Sequence, residues 1–154
     1  IGRDKGLSWV GGGGIRVDLA GKDGKFMPKD RIGGAEVKEW LCGQMGGFGP
    51  ILGQAHHFLH FNPGKSGYAE GRFRSEVARL YGVLDRRLEG LDYICNDYSI
   101  VDMACWPWVS RYEWQQVNLV DYPNVRSWYQ RLLARDAVQK GYQVPKHMGK
   151  IPQG

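Results

Sequence analysis

The sequence predicts an all-α fold, a bundle of about five helices that follows a glycine-rich segment. Three observations support this prediction. Apolar residues recur at steps of three and four over residues 73–88, a helix-capping motif precedes an apolar run at Ser99, and ten of the 23 glycines lie within residues 1–34. We therefore expect a glycine-rich remnant or linker at 1–34, a helical domain at 35–145 and an extended or disordered tail at 146–154.

The composition narrows the class of protein. A chain of 154 residues with 42% apolar and 24% charged residues is typical of one globular domain. The net charge of +5 comes from Lys and Arg residues mixed with acids, which favours a solvated surface over nucleic-acid binding. The sequence has no run of about 18 apolar residues and no basic-then-apolar leader. The lack of such an apolar run predicts no membrane contact. Three cysteines without CxxC spacing favour a reducing, cytoplasmic location.

The glycine-rich start is the least regular part of the sequence. Glycine loses more backbone entropy on ordering than any other residue, so we expect weak structure and partial mobility around residues 11–14. Residues 15–20 fit either a helical turn or an alternating strand, and the pattern leaves both open.

Two long helices are predicted next, with the first beginning at Ala35. Its glycines and Pro50 should loosen or kink it before it continues over residues 51–61. The second helix ends near Gly90, and the short link at 62–67 predicts an antiparallel pair. The proposed inward faces hold Val37, Trp40, Leu41 and Gln44 in the first helix, and Phe73, Val77, Leu80, Tyr81, Leu84 and Leu88 in the second.

Helix-start signals place the remaining helices. Ser99 and Asp102 form an S-x-x-D capping box before a buried helix, in which Pro107 predicts a kink. Residues 121–123 open a fourth helix, and Asp136 is a plausible cap for a short fifth helix starting at Ala137.

Several residue clusters carry possible chemistry, and each has a simpler structural interpretation. His56, His57 and His60 could share a metal on a helix face, but no nearby acid or cysteine completes a ligand set, so surface or packed histidines are favoured. The glycines of residues 46–53 lack the GxGxxG spacing of a nucleotide loop. They would instead let another helix, a bound tripeptide or a partner subunit approach the backbone. Cys105 and Cys42 are interpreted as small core residues.

Three segments resemble nu-class glutathione transferases, a bacterial group that includes disulfide-bond oxidoreductases. They are EWLCGQMGGFGPILGQAHHF (39–58), YSIVDMACWPWV (98–109) and YPNVRSWY (122–129). The likeness runs from about Gly24 to Pro145, and residues 14–26 look like a damaged last helix of the family's thioredoxin-like domain. It implies the carboxy-terminal helical domain of a glutathione transferase.

The resemblance also implies a reaction and a site. The reaction would be attack of a glutathione thiolate on an electrophile or disulfide, with glutathione as substrate, no metal and a homodimeric protein. Arg72, which taken alone is an ordinary helix-surface arginine, matches an arginine that reaches glutathione. Gln44, Phe48, Trp108 and Tyr112 match positions lining the cosubstrate pocket, and each also fits ordinary core packing, Trp108 above all.

One departure from the family pattern bears on activity. Most of the thioredoxin-like domain is not represented, and the residues 11–14 fall where a Glu-Ser pair would hold the γ-glutamyl end of glutathione. We therefore expect weak or absent activity in this chain. The alternatives are a non-catalytic interaction or dimerisation module, and a longer enzyme of which these residues are a part.

Overall fold

A computed structural model describes residues 2–4, 7–9, 11–146 and 149–154. Within them, helices account for nearly all regular structure, which confirms the all-α prediction. Two short strands, β1 (Gly2–Asp4) and β2 (Leu7–Trp9), form an antiparallel pair in which Gly2 lies opposite Trp9. Seven α-helices follow in the described residues: α1 (Gly12–Asp23), α2 (Arg31–Gly43), α3 (Gly49–Ala55), α4 (Gly67–Arg87), α5 (Ile100–Val109), α6 (Pro123–Leu133) and α7 (Asp136–Gly141).

The glycine-rich start contains a helix, so the prediction of weak structure there was wrong for residues 12–23. Helix α1 includes residues 15–20, which decides between the two alternatives in favour of helix. It packs against α5 and buries Ala20, with Val17 against the core. Tertiary packing therefore outweighs the poor helix propensity of the glycines. The chain leaves α1 at Gly24, whose left-handed conformation (φ 62°) ends the helix.

The first long helix begins four residues before the predicted Ala35. Asp30 caps α2 because its carboxylate accepts the N–H of Gly33 at 2.8 Å. The helix then continues to residue 61 through two π-helical turns, Gln44–Phe48 and His56–Phe61, with α3 between them. The expected loosening around the glycines takes the form of the first π turn.

Helix α4 returns along α3 after the turn at 62–66, as expected of two helices joined by a short link. Ser66 caps it by accepting the N–H of Ala69 at 3.3 Å. Val77, Tyr81 and Leu84 are buried on its inner face, which confirms the predicted periodicity. The turn after α4 contains Gly90 with φ 71°.

The capping box of α5 is formed as predicted. The Ser99 hydroxyl accepts the N–H of Val101 at 3.2 Å, and Asp102 accepts the N–H of Ser99 at 2.9 Å. The other Asp102 oxygen accepts from the Trp128 indole at 2.8 Å and from the N–H of Ile94 at 3.1 Å. Burial raises the pKa of Asp102, while these hydrogen bonds oppose the rise. This carboxylate therefore links the start of α5 to α6 and to the loop before it.

The carboxy-terminal part departs from the prediction at the start of α7, while the tail takes the extended form, one of the two alternatives predicted for it. Asp136 is the first residue of α7 and not its cap, since the capping position is Arg135 and makes no side-chain capping bond. The tail is extended at 149–154 but ordered against the helices. Ile151 is buried, and the carbonyl of Pro152 accepts the hydroxyl of Tyr129 at 2.7 Å.

The core lies where α2, α3, α4, α5 and α6 meet, with Trp128, Tyr81 and Tyr129 among its largest buried side chains. Cys105 is buried there as predicted, and its burial raises the thiol pKa well above its usual range. Cys42 is exposed, so its prediction as a core residue was wrong. In the part of the chain that the structure describes, no helix is both long and apolar enough to cross a membrane.

Candidate functional site

A cleft of about 400 Å³ lies where α1, the first π turn, α3 and α5 meet. Its walls combine backbone exposed at glycines, one arginine, one buried amide and one indole. The lining residues are Gly12, Arg16, Gln44, Met45, Gly49, Pro50, Ala104 and Trp108. This cleft is the place where the glycine-rich start faces the helical domain.

Gln44 provides an unusual polar group in this cleft. Its side chain is buried, and its Oε1 has no hydrogen-bond partner within the described residues. An unpartnered buried carbonyl oxygen costs about 1–3 kcal/mol. An N–H or O–H group that reached Oε1 would remove this cost.

Trp108 also lines the cleft and lies against the glycines of α3. A Cβ atom built on Gly49 would be 3.2 Å from the Trp108 ring, and one on Gly53 would be 3.6 Å from it. The glycines therefore let α5 approach α3 closely, which is the first of the three roles considered for them.

A partly buried hydrogen-bond network contacts the backbone carbonyl of Trp108. Gln115 Oε1 accepts the Tyr81 hydroxyl at 2.6 Å, while Gln115 Nε2 lies 2.8 Å from the Trp108 carbonyl and 2.9 Å from His56 Nε2. The His56 ring also stacks on the Trp108 indole, with ring centres 5.9 Å apart. Burial, with the nearby Arg111 and His60 charges, lowers the pKa of His56 to about 4. The network therefore fixes the indole wall through a neutral imidazole.

Arg16 supplies positive charge from α1. One of its terminal nitrogens donates to the carbonyl of Gly12 at 3.0 Å, one turn earlier in the helix. A guanidinium carries five N–H donors, so this bond leaves others for a carboxylate. Sequence analysis did not identify Arg16, although its spacing from Gly12 places both on the same side of a helix.

The structure brings together two of the five residues predicted for the site. Gln44 and Trp108 line the same cleft. Phe48 is buried behind Gln44, where its ring lies 6.2 Å from that of Tyr81 and borders a separate apolar cavity of about 140 Å³.

Tyr112 and Arg72 lie elsewhere. The Tyr112 hydroxyl accepts the N–H of Gly154 at 3.3 Å, so it contacts the tail. Arg72 lies on α4 with its side chain exposed, and it does not line the cleft that contains Gln44. Across the described ranges, no group of three or more His, Cys, Asp or Glu side chains is placed to hold a metal ion.

Sequence comparison relates the chain to known proteins. The profile of the family "Glutathione S-transferase, C-terminal domain" matches residues 50–136. The chain is 42% identical over 132 residues to the disulfide-bond oxidoreductase YfcG of Escherichia coli, which covers 85% of this chain and 61% of that protein. It is 34% identical over 148 residues to the disulfide-bond oxidoreductase YghU of the same organism, covering 90% and 51%. The chain thus spans little more than half the length of these relatives.

Solved structures agree with this assignment. A glutathione transferase from Burkholderia graminis with two bound glutathione molecules per subunit superimposes with a TM-score of 0.86 at 36% identity, over 94% of this chain and 64% of that one. A glutathione transferase from Pseudomonas putida with one bound glutathione disulfide gives 0.83 at 35% identity, over 90% and 64%. Since the family profile matches more than half of its residues, this chain belongs to the glutathione S-transferases through their C-terminal helical domain.

Proposed function

We propose that this chain binds glutathione and takes part in glutathione-dependent thiol transfer or conjugation. The observation that carries the proposal is the cleft lined together by Arg16, Trp108 and Gln44, whose buried Oε1 has no partner within the described residues. Family membership supports it, because homologous structures are described with bound glutathione or glutathione disulfide.

The chemistry of the cleft matches the chemistry of the tripeptide. Glutathione has two carboxylates, peptide N–H groups and a thiol. Arg16 can pair with a carboxylate, and the Gln44 Oε1 can accept an N–H. Trp108 offers an apolar surface to the cysteine side chain or to the group that reacts with it.

The reaction is proposed as thiol–disulfide exchange or as addition to an electrophile. In exchange, the glutathione thiolate attacks one sulfur of a disulfide, a mixed disulfide forms, and the second sulfur leaves as a thiolate that takes up a proton. In conjugation, the thiolate sulfur forms a bond to carbon, and the electrophile either releases a leaving group with its bonding electron pair or, in an addition, takes up a proton at the anion that forms. Two relatives named disulfide-bond oxidoreductases favour exchange as the first activity to assay.

The remaining site residues also enter as proposals, with Phe48 and Tyr112 moved from lining the cosubstrate pocket, where the resemblance puts them, to supporting it. Arg72 is proposed to contact glutathione from α4, while Phe48 and Tyr112 are proposed to support the cosubstrate side by packing. A homodimer in the cytoplasm and low turnover for the 154-residue chain are also proposed. The division at 1–34, 35–145 and 146–154 also stays a proposal, with its first boundary falling inside α2, which begins at Arg31. No feature of the described residues favours a non-catalytic interaction module over glutathione chemistry.

Calorimetric titration with glutathione and glutathione disulfide tests the proposal. Arg16→Met and Gln44→Leu should each weaken binding by about tenfold, because each removes a polar contact to the ligand. Gln44→Leu should do so without lowering stability, since its Oε1 has no partner in the free protein.

Arg72→Met tests the separate contribution of α4, with Arg86→Met as the matched control on the same helix. Weaker binding in Arg72→Met alone would support the predicted contact, and equal binding in both would assign the arginine role to Arg16 only. Absence of heat for both ligands in the wild-type chain would contradict the proposed function.

A further inference from the structure

Met45 places a thioether at the edge of the cleft that contains Gln44, on the first π turn. It lines this cleft and is 36% exposed. Met27 and Met103, in contrast, are partly buried and pack against the hydrophobic core. Met45 is therefore the most exposed of the three methionines that the structure describes.

The Met45 side chain covers the first turn of α1. A Cβ atom built on Gly13 would lie 3.3 Å from Met45 Cγ and 3.6 Å from its Sδ, and its nearest neighbours outside the helix backbone are all Met45 atoms. Residues 12–14 are glycines, so this turn has no side chains of its own with which to pack. The thioether thus supplies an apolar contact that the glycines lack.

Helix α1 depends on contacts of this kind. Ala20 is its buried residue, and Val17 packs against the core. Both lie after the glycines, which disfavour helix, so tertiary contacts must hold the first turn in place. Loss of the Met45 contact should therefore loosen the start of α1, where this helix borders the cleft at Gly12 and Arg16.

The cysteine sulfurs differ from Met45 in access and in reactive form. Cys95 and Cys105 are buried, and burial raises the pKa of both thiols, that of Cys95 to about 12. Since peroxide reacts with the thiolate, these two thiols should resist oxidation. Cys42 is exposed and is the competing sulfur. A thioether has no proton to lose, so its oxidation requires access alone.

We propose that Met45 is an oxidation site for hydrogen peroxide, and that its sulfoxide loosens the first turn of α1 and so disrupts the cleft. The sulfur lone pair attacks one peroxide oxygen, a sulfur–oxygen bond forms, the oxygen–oxygen bond breaks, and the second oxygen leaves as water. The sulfur is oxidised by two electrons and the peroxide is reduced by two. The product is polar and cannot replace the apolar contact to Gly13. Oxidation itself is independent of the proposed function, whereas its effect on glutathione binding rests on it.

The first test treats the 154-residue chain with limiting hydrogen peroxide and follows each tryptic peptide by mass spectrometry. Cleavage after Lys38 and Lys65 gives a peptide that contains both Cys42 and Met45, so the chain carries Cys42→Ser to remove the competing thiol. Met27 and Met103 fall in other peptides. Met45 should gain one oxygen atom at least about threefold faster than either of them, because oxidation follows exposure. Equal or slower oxidation of Met45 overturns the proposal.

Hydrogen exchange then measures the effect on α1. In this helix the amides of residues 16–18 bond to the carbonyls of glycines 12–14, so their exchange reports on the first turn. These amides should exchange about three- to tenfold faster in the oxidised chain. Met45→Gln, a polar replacement that needs no oxidant, should show the same increase. Unchanged exchange in the oxidised chain overturns the proposal even where Met45 carries the oxygen.

Two leucine variants are the controls. Met45→Leu keeps an apolar side chain that peroxide does not oxidise, so its α1 amides should exchange at the same rate before and after treatment. Met103→Leu is the matched control at a partly buried methionine, and it should respond to peroxide as the Cys42→Ser chain does. A peroxide effect on α1 that persists in Met45→Leu would assign the effect to another residue and overturn the proposal.

Calorimetric titration with glutathione separates this inference from the proposed function. The oxidised chain and Met45→Gln should bind glutathione more weakly than the untreated chain, by about threefold or more, since α1 forms one wall of the cleft. An untreated chain that does not bind glutathione contradicts the proposed function, whereas oxidation and hydrogen exchange decide the role of Met45.

Discussion

His56 shows how one hydrogen-bonded side chain can fix the protonation state of another. The Gln115 Oε1 accepts from Tyr81, and one of its two N–H groups is required by the Trp108 carbonyl. The second N–H then points to His56 Nε2, which must be an acceptor and therefore unprotonated. The neutral imidazole with its proton on Nδ1 is the form that supports the stacked Trp108.

This arrangement predicts an acid-sensitive contribution to stability from His56. Its pKa is lowered from 6.5 to about 4, so between these values the unfolded chain binds a proton that the folded chain does not. Stability from this group is complete above pH 6.5 and falls as the pH drops toward 4. From pH 7.5 to pH 5 the loss should be about 1 kcal/mol, after reduction for a half-buried group screened by solvent.

Urea unfolding at the two pH values measures this loss. His56→Gln keeps an acceptor for Gln115 but cannot take up a proton, so its loss between pH 7.5 and 5 should be smaller by about 1 kcal/mol. His57→Gln replaces an exposed neighbouring imidazole and should retain the wild-type loss. Equal pH dependence in wild type and His56→Gln would contradict the prediction.

At the scale of elements, the long helix from residue 31 to 61 determines the shape of the cleft through its first π turn. In that turn the N–H of Gly49 bonds to the carbonyl of Gln44, five residues earlier. The wider turn leaves both Gln44 and Phe48 buried, one at the cleft and one at the core. The absence of a side chain at Gly49 then makes room for Trp108.

Two glycine-to-alanine substitutions should have opposite effects on stability. A Cβ on Gly49 would lie 2.9 Å from the Gln44 amide nitrogen and 3.2 Å from Trp108, so Gly49→Ala should cost about 1–3 kcal/mol and weaken glutathione binding. A Cβ on Gly46 meets no atom within 4 Å, so Gly46→Ala should stabilise the helix by about 0.5–1 kcal/mol. Chemical denaturation compares them, and a Gly49→Ala variant at least as stable as the wild type would argue against the close packing at Gly49.

At the scale of the whole molecule, helix α1 and the tail at 149–154 both pack on the helical domain. Helix α1 contacts α5 and completes the cleft with Arg16. The tail lies against α6, where Ile151 is buried and Gly154 donates to Tyr112. The tail thus covers Tyr112, which the sequence placed in the cosubstrate pocket.

Ile151→Ala should therefore lower the free energy of unfolding by about 2 kcal/mol, through lost apolar burial and a residual cavity. Val144→Ala is the control, because Val144 is 71% exposed and its loss should change stability by less than about 0.5 kcal/mol. Thermal or urea unfolding of both variants measures the difference. A loss in Ile151→Ala no larger than that in Val144→Ala would mean that the tail contributes no stability.

The sequence predicted a helix well where its signal, a cap or an apolar stripe, lies within residues a few positions apart. The capping box at Ser99 and Asp102 and the periodicity of α4 are confirmed, because a cap and an apolar stripe depend on residues three or four positions apart. The start of α2 at Arg31 was missed because Asp30 precedes two glycines at positions 33 and 34, which weaken the helical pattern. Cys42 was misplaced because a small apolar residue fits either face of a helix.

The sequence by itself determined the all-α class and the family, and through the resemblance it predicted cleft positions for Gln44 and Trp108. Only the tertiary structure decided that α1 is a helix, that Arg16 reaches the cleft, and that Tyr112 and the tail pack together. The physical reason is distance along the chain: Arg16, Gln44 and Trp108 lie far apart in sequence and meet only when α1, α2 and α5 pack around one core. The unpartnered Oε1 of Gln44 depends on the same packing, since a pattern of residues does not reveal which buried polar atoms lack a partner.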